Sequence, residues 1–376
     1  MQKTKSRFTR PQAIAILVGF LATVGVIIWI ISGLLGPQAP TDVSAARLPC
    51  PNSDTVRPFG NQVLYYDGAS LHCMSDSGSV RWSFPLGMDA GFDCTNDMIT
   101  AWCGSTLYIL DQNGLSTFND NMGLPVQFAR IGSQYVGAVL GEDSSPMLKV
   151  MDHTGAHMDD ETEAYKKQIL LDVGFYGANG EYMWSLALDV YGTVANTTLN
   201  TFEVGKMNTG EVSLGEPITY AVLFENGRLR VINTRKMHTF NERGSEDTAQ
   251  TVLVYGWHYL GSEIPARGDA LMLFAPTAQT ENAFDIHELR LISQSKDQRY
   301  SLPDTCIGAA VWNKTVYAFS ADKLFRAGQN DRRFTNYELP LDAPATNLIG
   351  TLSNGKVVLG CGDEAYVITL PQASGR

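Results

Sequence analysis

No acidic residue occurs before Asp42, and residues 11–41 carry no charge of either sign. Within that stretch, residues 13–35 form a 23-residue apolar run. A helix needs about 20 apolar residues to cross the hydrocarbon core, so the run is long enough to span with some tilt. Lys3, Lys5, Arg7 and Arg10 all precede it, which by the positive-inside rule holds the N-terminus in the cytoplasm. The expected order is a basic cytoplasmic tail (1–12), one transmembrane helix (13–35), a spacer rich in Pro, Ala and Ser (36–52) and an extracytoplasmic domain (53–372). A cleaved signal peptide is the alternative. Its apolar region runs to about 7–15 residues, and the small-residue site Val43-Ser44-Ala45 lies well past the apolar stretch here. Ala15, Gly19 and Thr23 recur every fourth residue, a stripe on which a second membrane helix could pack; such residues are also ordinary in membrane helices.

Basic residues are scarce. The chain has 28 Lys and Arg against 39 Asp and Glu, a net charge of −11, and four of the basic groups lie in the first ten positions. A surface this acidic repels phosphate backbones, which excludes a general nucleic-acid binder. Hydrophobic residues make up 44% of the chain, enough to fill a core and to exclude disorder as its general state.

Catalytic signatures are missing as well. There is no G-x-S-x-G, no phosphate-binding loop and no G-x-G-x-x-G, and His287-Glu288 opens an H-E-x-x-H pattern that fails at Leu291. Six cysteines (Cys50, Cys73, Cys94, Cys103, Cys306, Cys361) all follow the membrane run, with no C-x-x-C and no adjacent pair. An even number outside the membrane permits disulfides of open pairing; buried free thiols are the other reading.

What is present, after residue 52, is β texture. Short β-rich runs such as Val63-Leu64-Tyr65-Tyr66, Thr106-Leu107-Tyr108-Ile109-Leu110 and Lys356-Val357-Val358-Leu359 alternate with Gly, Asn, Asp and Ser clusters. Long helical periodicity is absent beyond the membrane run. The one exception is 159–171, where Glu163 and Lys167 at i,i+4 suggest a short helix.

A unit recurs: strand, tight turn, strand, turn with Asp and Gly, strand. Its turn glycines Gly78, Gly114 and Gly155 are spaced by 36 and 41 residues, and Gly210 follows 55 later, as after an insertion. Periods near 40 with several strands per unit predict a β-propeller, whose blades bury their faces only against each other. Hairpin-like units near 63, 99, 135, 182, 219, 270, 308 and 357 give eight blades, or seven if the irregular 215–265 region is not a full one. A sandwich pair does not explain the repeat, and β-helix rungs are shorter.

Ser75-Asp76-Ser77-Gly78-Ser79-Val80-Arg81-Trp82 has Asp in the turn, Gly at its end and Trp four residues on. This resembles the repeat of quinoprotein-like (PQQ-like) propellers, whose turn-Gly-x-x-x-Trp motif docks one blade against the next. The resemblance implies a docking role for Trp82. It implies the same for Phe118, which stands at that offset from Gly114; Leu214 has it from Gly210, while Asp159, four after Gly155, departs from the pattern. The enzymatic relatives bind PQQ, often beside adjacent cysteines, and no such pair exists here, so no cofactor is expected. The whole architecture is similar to membrane-anchored propellers of Gram-positive bacteria, which implies no activity.

His153, His157, Asp159, Asp160, Glu161 and Glu163 form the densest group of possible cation ligands. Their mixture of hard and borderline donors fits neither a calcium loop nor a zinc site, so a solvated acidic loop is expected and no metal. Trp257 and Tyr259, in the irregular stretch 243–268, are candidate interface anchors if that stretch is an exposed insertion; core packing is the more ordinary reading of the same aromatics. The sequence therefore points to a non-catalytic interaction scaffold at the cell membrane. Its expected partners are envelope or secretion proteins or the wall polymer. A binder of a cation, sugar or small ligand in the central channel is the alternative, and an enzyme on the same ring the third reading.

Overall fold

A computed structural model describes residues 42–371 except 207–208, 216–217, 266–267, 282–284 and 332. The described strands form eight four-stranded antiparallel sheets. Seven are meanders of consecutive strands: blade 1 (56–85), blade 2 (91–121), blade 3 (126–161), blade 4 (169–215), blade 5 (219–253), blade 6 (257–306) and blade 7 (308–338). Blade 8 takes its three inner strands from residues 345–369. Its outermost strand is Ser44–Pro51, from the other end of the chain, in the register Ser44 to Thr369 and Ala46 to Val367. The chain is an eight-bladed β-propeller. The segment assigned by composition to a spacer is thus in part the strand that closes the ring, and residues 215–265 hold a full blade.

No single core holds this ring together. Among the described residues there are eight hydrophobic clusters, and each lies between two neighbouring blades. Strand periodicity produces this: successive side chains point to opposite faces, so one strand feeds two clusters. In Met98–Cys103, Ile99 and Ala101 pack toward blade 1, while Met98 and Trp102 pack toward blade 3. The cluster of Leu48, Val358 and Val367 with Val56, Val63 and Met74 joins blade 8 to blade 1 and completes the circle.

The turns add a second set of contacts. The Trp82 indole N–H donates to the Gln112 carbonyl at 3.0 Å, and its half-buried ring lies on Gly114 of blade 2, where any Cβ would stand 2.6 Å from a ring atom. Gly114 also has φ +76°, a conformation that glycine adopts without strain. Phe118 covers Gly155 of blade 3 in the same manner. In blade 4 the corresponding turn glycine is Gly205, approached by Met158, rather than Gly210. Leu214 belongs instead to the cluster between blades 4 and 5.

The segment 159–171 is not helical. His157–Glu161 is the outer strand of blade 3, and a turn carries Glu163 paired with Lys166 at 2.7 Å, with Lys167 at φ +61°. Burial decides this: Tyr165 is 1% exposed and hydrogen-bonds Ser185 at 2.7 Å, which outweighs one exposed i,i+4 pair. Among the described residues no helix is long and apolar enough to cross a membrane. The run 13–35, with Ala15, Gly19 and Thr23, lies outside the described residues.

Candidate functional site

The innermost strands of the blades wall a central channel, and they do so differently on its two sides. Blades 1 to 4 each place one charge there: Arg57, Asp93, Arg130 and Asp172, on the strands Val56–Phe59, Gly91–Cys94, Val126–Ile131 and Ile169–Tyr176. Arg57 approaches Asp93 at 3.7 Å, and Asp93 accepts the Ile131 backbone N–H at 3.1 Å. The Arg130 Nε donates to Asp172 at 2.8 Å. Arg57 and Arg130 also lie over the rings of Phe92 and Phe128, at 5.3 and 5.1 Å from their centroids. Burial pushes both carboxyl groups above their ordinary range. The Ile131 N–H and the two guanidinium charges oppose that shift at Asp93, and Arg130 opposes it at Asp172. The belt is therefore internally neutralised.

Blades 6 to 8 wall the channel with small and apolar residues: Leu260 and Gly261, then Gly308, Ala309 and Ala310, then Leu348, Ile349 and Gly350. A Cβ on Gly308 would stand 2.7 Å from that of Leu348, so the two strands approach only because Gly308 has none. The result is open volume. Cavities of about 520 and 490 Å³ share Leu260, Ala309 and Leu348, and a third of about 690 Å³, bounded by Asn52, Asp54, Arg57 and Asp93, meets them at Asn347 and Ile349.

The two ends of the ring differ too. Connections between blades and loops between second and third strands share one end, here called the crossover face. The other tight turns and both ends of the ring chain, at Ser44 and Thr369, share the opposite end, the termini face. Of the twelve large apolar side chains exposed among the described residues, nine belong to the crossover face: Met88, Leu124, Val190, Tyr191, Val194, Ile218, Tyr220, Leu253 and Tyr255. Only Val80, Leu115 and Ile264 lie at the termini face. At the channel mouth on the crossover face, Tyr220 stacks on His258 with centroids 5.3 Å apart and planes 8° from parallel. Beside them the Tyr259 hydroxyl, pushed up to about 12 by burial, hydrogen-bonds Ser262 at 2.9 Å.

Trp257 and Tyr259 are on a regular strand, Trp257–Glu263, the innermost of blade 6, and not on an insertion. Both are half-buried, and the Arg290 and Arg299 guanidinium groups lie 5.7 and 5.1 Å from the Trp257 ring. The acidic group does not converge. His153 bonds the Gly132 carbonyl, His157 pairs with Asp160 at 3.1 Å, and buried Asp159 accepts the Gly205 N–H. Among the described residues no three His, Cys, Asp or Glu side chains are placed to share a metal ion. All six cysteines are free thiols. Burial pushes Cys73, Cys94 and Cys306 up to about 12 and Cys50 and Cys361 up to about 11, which keeps these five protonated and unreactive at neutral pH.

Sequence reasoning did not single out the channel belt, although a trace of it was available. Arg57, Asp93, Arg130 and Asp172 are spaced by 36, 37 and 42 residues, the period of the blades themselves.

No protein-family model matches the sequence, and no curated protein is similar to it. Solved structures are similar in fold. BamB from Moraxella catarrhalis has a TM-score of 0.54 at 11% identity, over 89% of this chain and 99% of that one. Saccharomyces cerevisiae Sqt1 has a TM-score of 0.55 at 8% identity, over 89% and 100%. BBS1N, solved in complex with ARL6DN, has a TM-score of 0.50 at 10% identity, over 90% and 98%. At these identities the likeness establishes the propeller and nothing finer.

Proposed function

We propose that the protein is a non-catalytic interaction platform of the cell envelope, held at the membrane by residues 13–35, with the N-terminus in the cytoplasm and the propeller outside. The observation that carries this reading is the gathering of exposed apolar side chains, three of them tyrosines, on the crossover face. Aromatic side chains dominate protein interfaces energetically, and loops on a rigid scaffold are where recognition is built. Ser44 and Thr369 lie at the termini face, at the opposite end of the ring from the crossover loops. BBS1N, a ring of similar fold, was solved with a protein partner, and envelope or secretion proteins or the wall polymer are the partners proposed here. The order of basic tail, apolar run and ring resembles that of membrane-anchored propellers of Gram-positive bacteria, which supports the anchored reading.

Affinity capture of the tagged full chain from detergent-solubilised membranes tests this. Replacing Tyr191, Val194 and Tyr255 together by Ser is expected to remove most of the captured partner, and replacing Val80 and Leu115 by Ser to leave it. Equal capture by both variants would sink the reading. Topology has its own check: protease added to wall-stripped cells digests the ring in this reading, and a ring that survives until the membrane is breached reverses the orientation.

The channel cavities support a second reading, a small-ligand binder, because volumes of about 490 to 690 Å³ are within the range of ligand pockets. Scaffold and binder differ in whether a soluble ligand alters stability.

A further inference from the structure

Charge separates the two faces as well as apolar exposure does. The crossover loops carry exposed Asp54, Asp89, Asp143, Asp285, Asp322 and Asp363, each on a different blade or connection. Their exposed cations cluster at two places, Lys166 with Lys167 and Arg235 with Lys236, and Lys166 is already paired with Glu163. At the termini face exposed Lys206, Arg243, Lys296, Lys314 and Arg333 alternate with acids around the ring. The crossover face is thus the more acidic and the more apolar of the two. It also holds the cavity of about 490 Å³ between His258, Leu260, Ala309 and Leu348, which opens beside the Tyr220–His258 stack.

We propose that this face docks a basic, amphipathic polypeptide segment of a partner protein, which lays its cations against the ring of aspartates and places apolar side chains in the cavity beside Tyr220 and His258. This rests on the reading of the crossover face as a protein interface and adds the chemistry of the partner. Charge complementarity selects the occupant. An anionic lipid surface or an acidic peptide meets like charge at these loops, and like-charge contacts are disfavoured across an interface. An apolar cavity next to stacked aromatic rings offers the desolvated pocket in which interface anchors concentrate.

The test uses the full chain in nanodiscs of zwitterionic lipid and three fluorescent peptides with one spacing pattern, made of Lys with Leu, Glu with Leu, and Lys with Ser. The Lys–Leu peptide is expected to bind at least about tenfold more tightly than either other peptide, and to weaken as salt is raised to ~1 M. The surface variants Tyr220→Ala with His258→Ala, and separately Asp89→Lys with Asp143→Lys, are each expected to lower that affinity by about tenfold. Val80→Ser, at the termini face, serves as the folded control and should not. Equal binding of the Lys–Leu and Glu–Leu peptides overturns the proposed chemistry while leaving a protein interface standing. Binding that is unchanged in both variants, or reproduced by empty nanodiscs, overturns the proposed site and assigns the peptide to the lipid. Failure of the interface reading shows separately, as partner capture that survives the Tyr191, Val194 and Tyr255 changes.

Discussion

Blades 1 to 4 and blades 6 to 8 solve the same problem, holding neighbours side by side around a channel, by different means. In the first group the joints are specific. An aromatic ring sits on a turn glycine, as Trp82 does on Gly114, and a charge on one inner strand reaches the next blade, as Arg130 reaches Asp172. The second group keeps one ring joint, Trp312 on Gly355, and one charge that reaches the next blade, Glu263 accepting the Asn313 and Lys314 N–H groups, but its inner strands meet through small residues. Gly308 lets blade 7 approach Leu348 of blade 8, and Gly350 does the same at Pro58 of blade 1. Blade 5 between them has its own device, a buried Arg230–Glu225 pair whose carboxylate also accepts the Ala270 N–H of the strand connection in blade 6. Partnered charge lines the first side, where Arg57 and Asp93 bound the cavity of about 690 Å³, and small and apolar residues line the two cavities of the second.

The largest effect is expected where a joint depends on one ring. Trp82→Ala removes both the packing on Gly114 and the bond to Gln112, and should cost about 3 kcal/mol, the low end for a deleted Trp because the ring is half-exposed. Denaturant unfolding of the variant reads this directly, and an unchanged free energy would remove the aromatic joint from the account. On the other side, Gly308→Val inserts atoms where a Cβ already stands 2.7 Å from Leu348, and a loss of about 1–3 kcal/mol is expected. If Gly308→Val is neutral, the close approach of blades 7 and 8 is not a constraint.

The smallest and most diagnostic effect is in the pH dependence. Asp93 and Asp172 have folded values raised by burial, so over the window just above the ordinary carboxylate value of about 4 the folded ring holds protons that the unfolded chain has released. Their contribution to stability therefore grows as pH falls through the raised values toward about 4. Asp67 is the opposite case. His72 and the Ser70 and Ala69 N–H groups push it down to about 2, so its contribution is present above about 4 and is lost as pH falls toward 2. The stability of the wild type relative to Asp93→Asn with Asp172→Asn should rise from pH 7 to about pH 4. Relative to Asp67→Asn it should stay level there and fall below about pH 4. Parallel curves for the two variants would mean that desolvation in the channel does not raise Asp93 and Asp172.

Much of the ring was legible because its determinants are local. Asp76, Asp111 and Asp152 mark turns that end in Gly78, Gly114 and Gly155, and the hydrophobic alternation between those turns marks the strands. Where local patterns competed with burial, the reading failed. The i,i+4 pair at Glu163 and Lys167 suggested a helix, but Tyr165 is drawn into the cluster between blades 3 and 4 and the segment turns instead. The aromatics at 257–259 looked like an insertion because the outer strand before them, Val252–Leu253, is only two residues long.

By itself the sequence determined a series of repeated β units of several strands, since turn geometry and side-chain alternation depend on neighbours a few residues away. It also determined the uncharged run 13–35 with its basic flank. Only the tertiary structure decided that Ser44–Pro51 is the last strand of blade 8, because its hydrogen-bonding partner is at the opposite end of the chain and nothing in a proline-flanked segment announces it. The same is true of the belt of Arg57, Asp93, Arg130 and Asp172, and of the acidic, apolar crossover face. Those residues become neighbours only when eight blades close radially, and radial closure is a property of all eight interfaces at once.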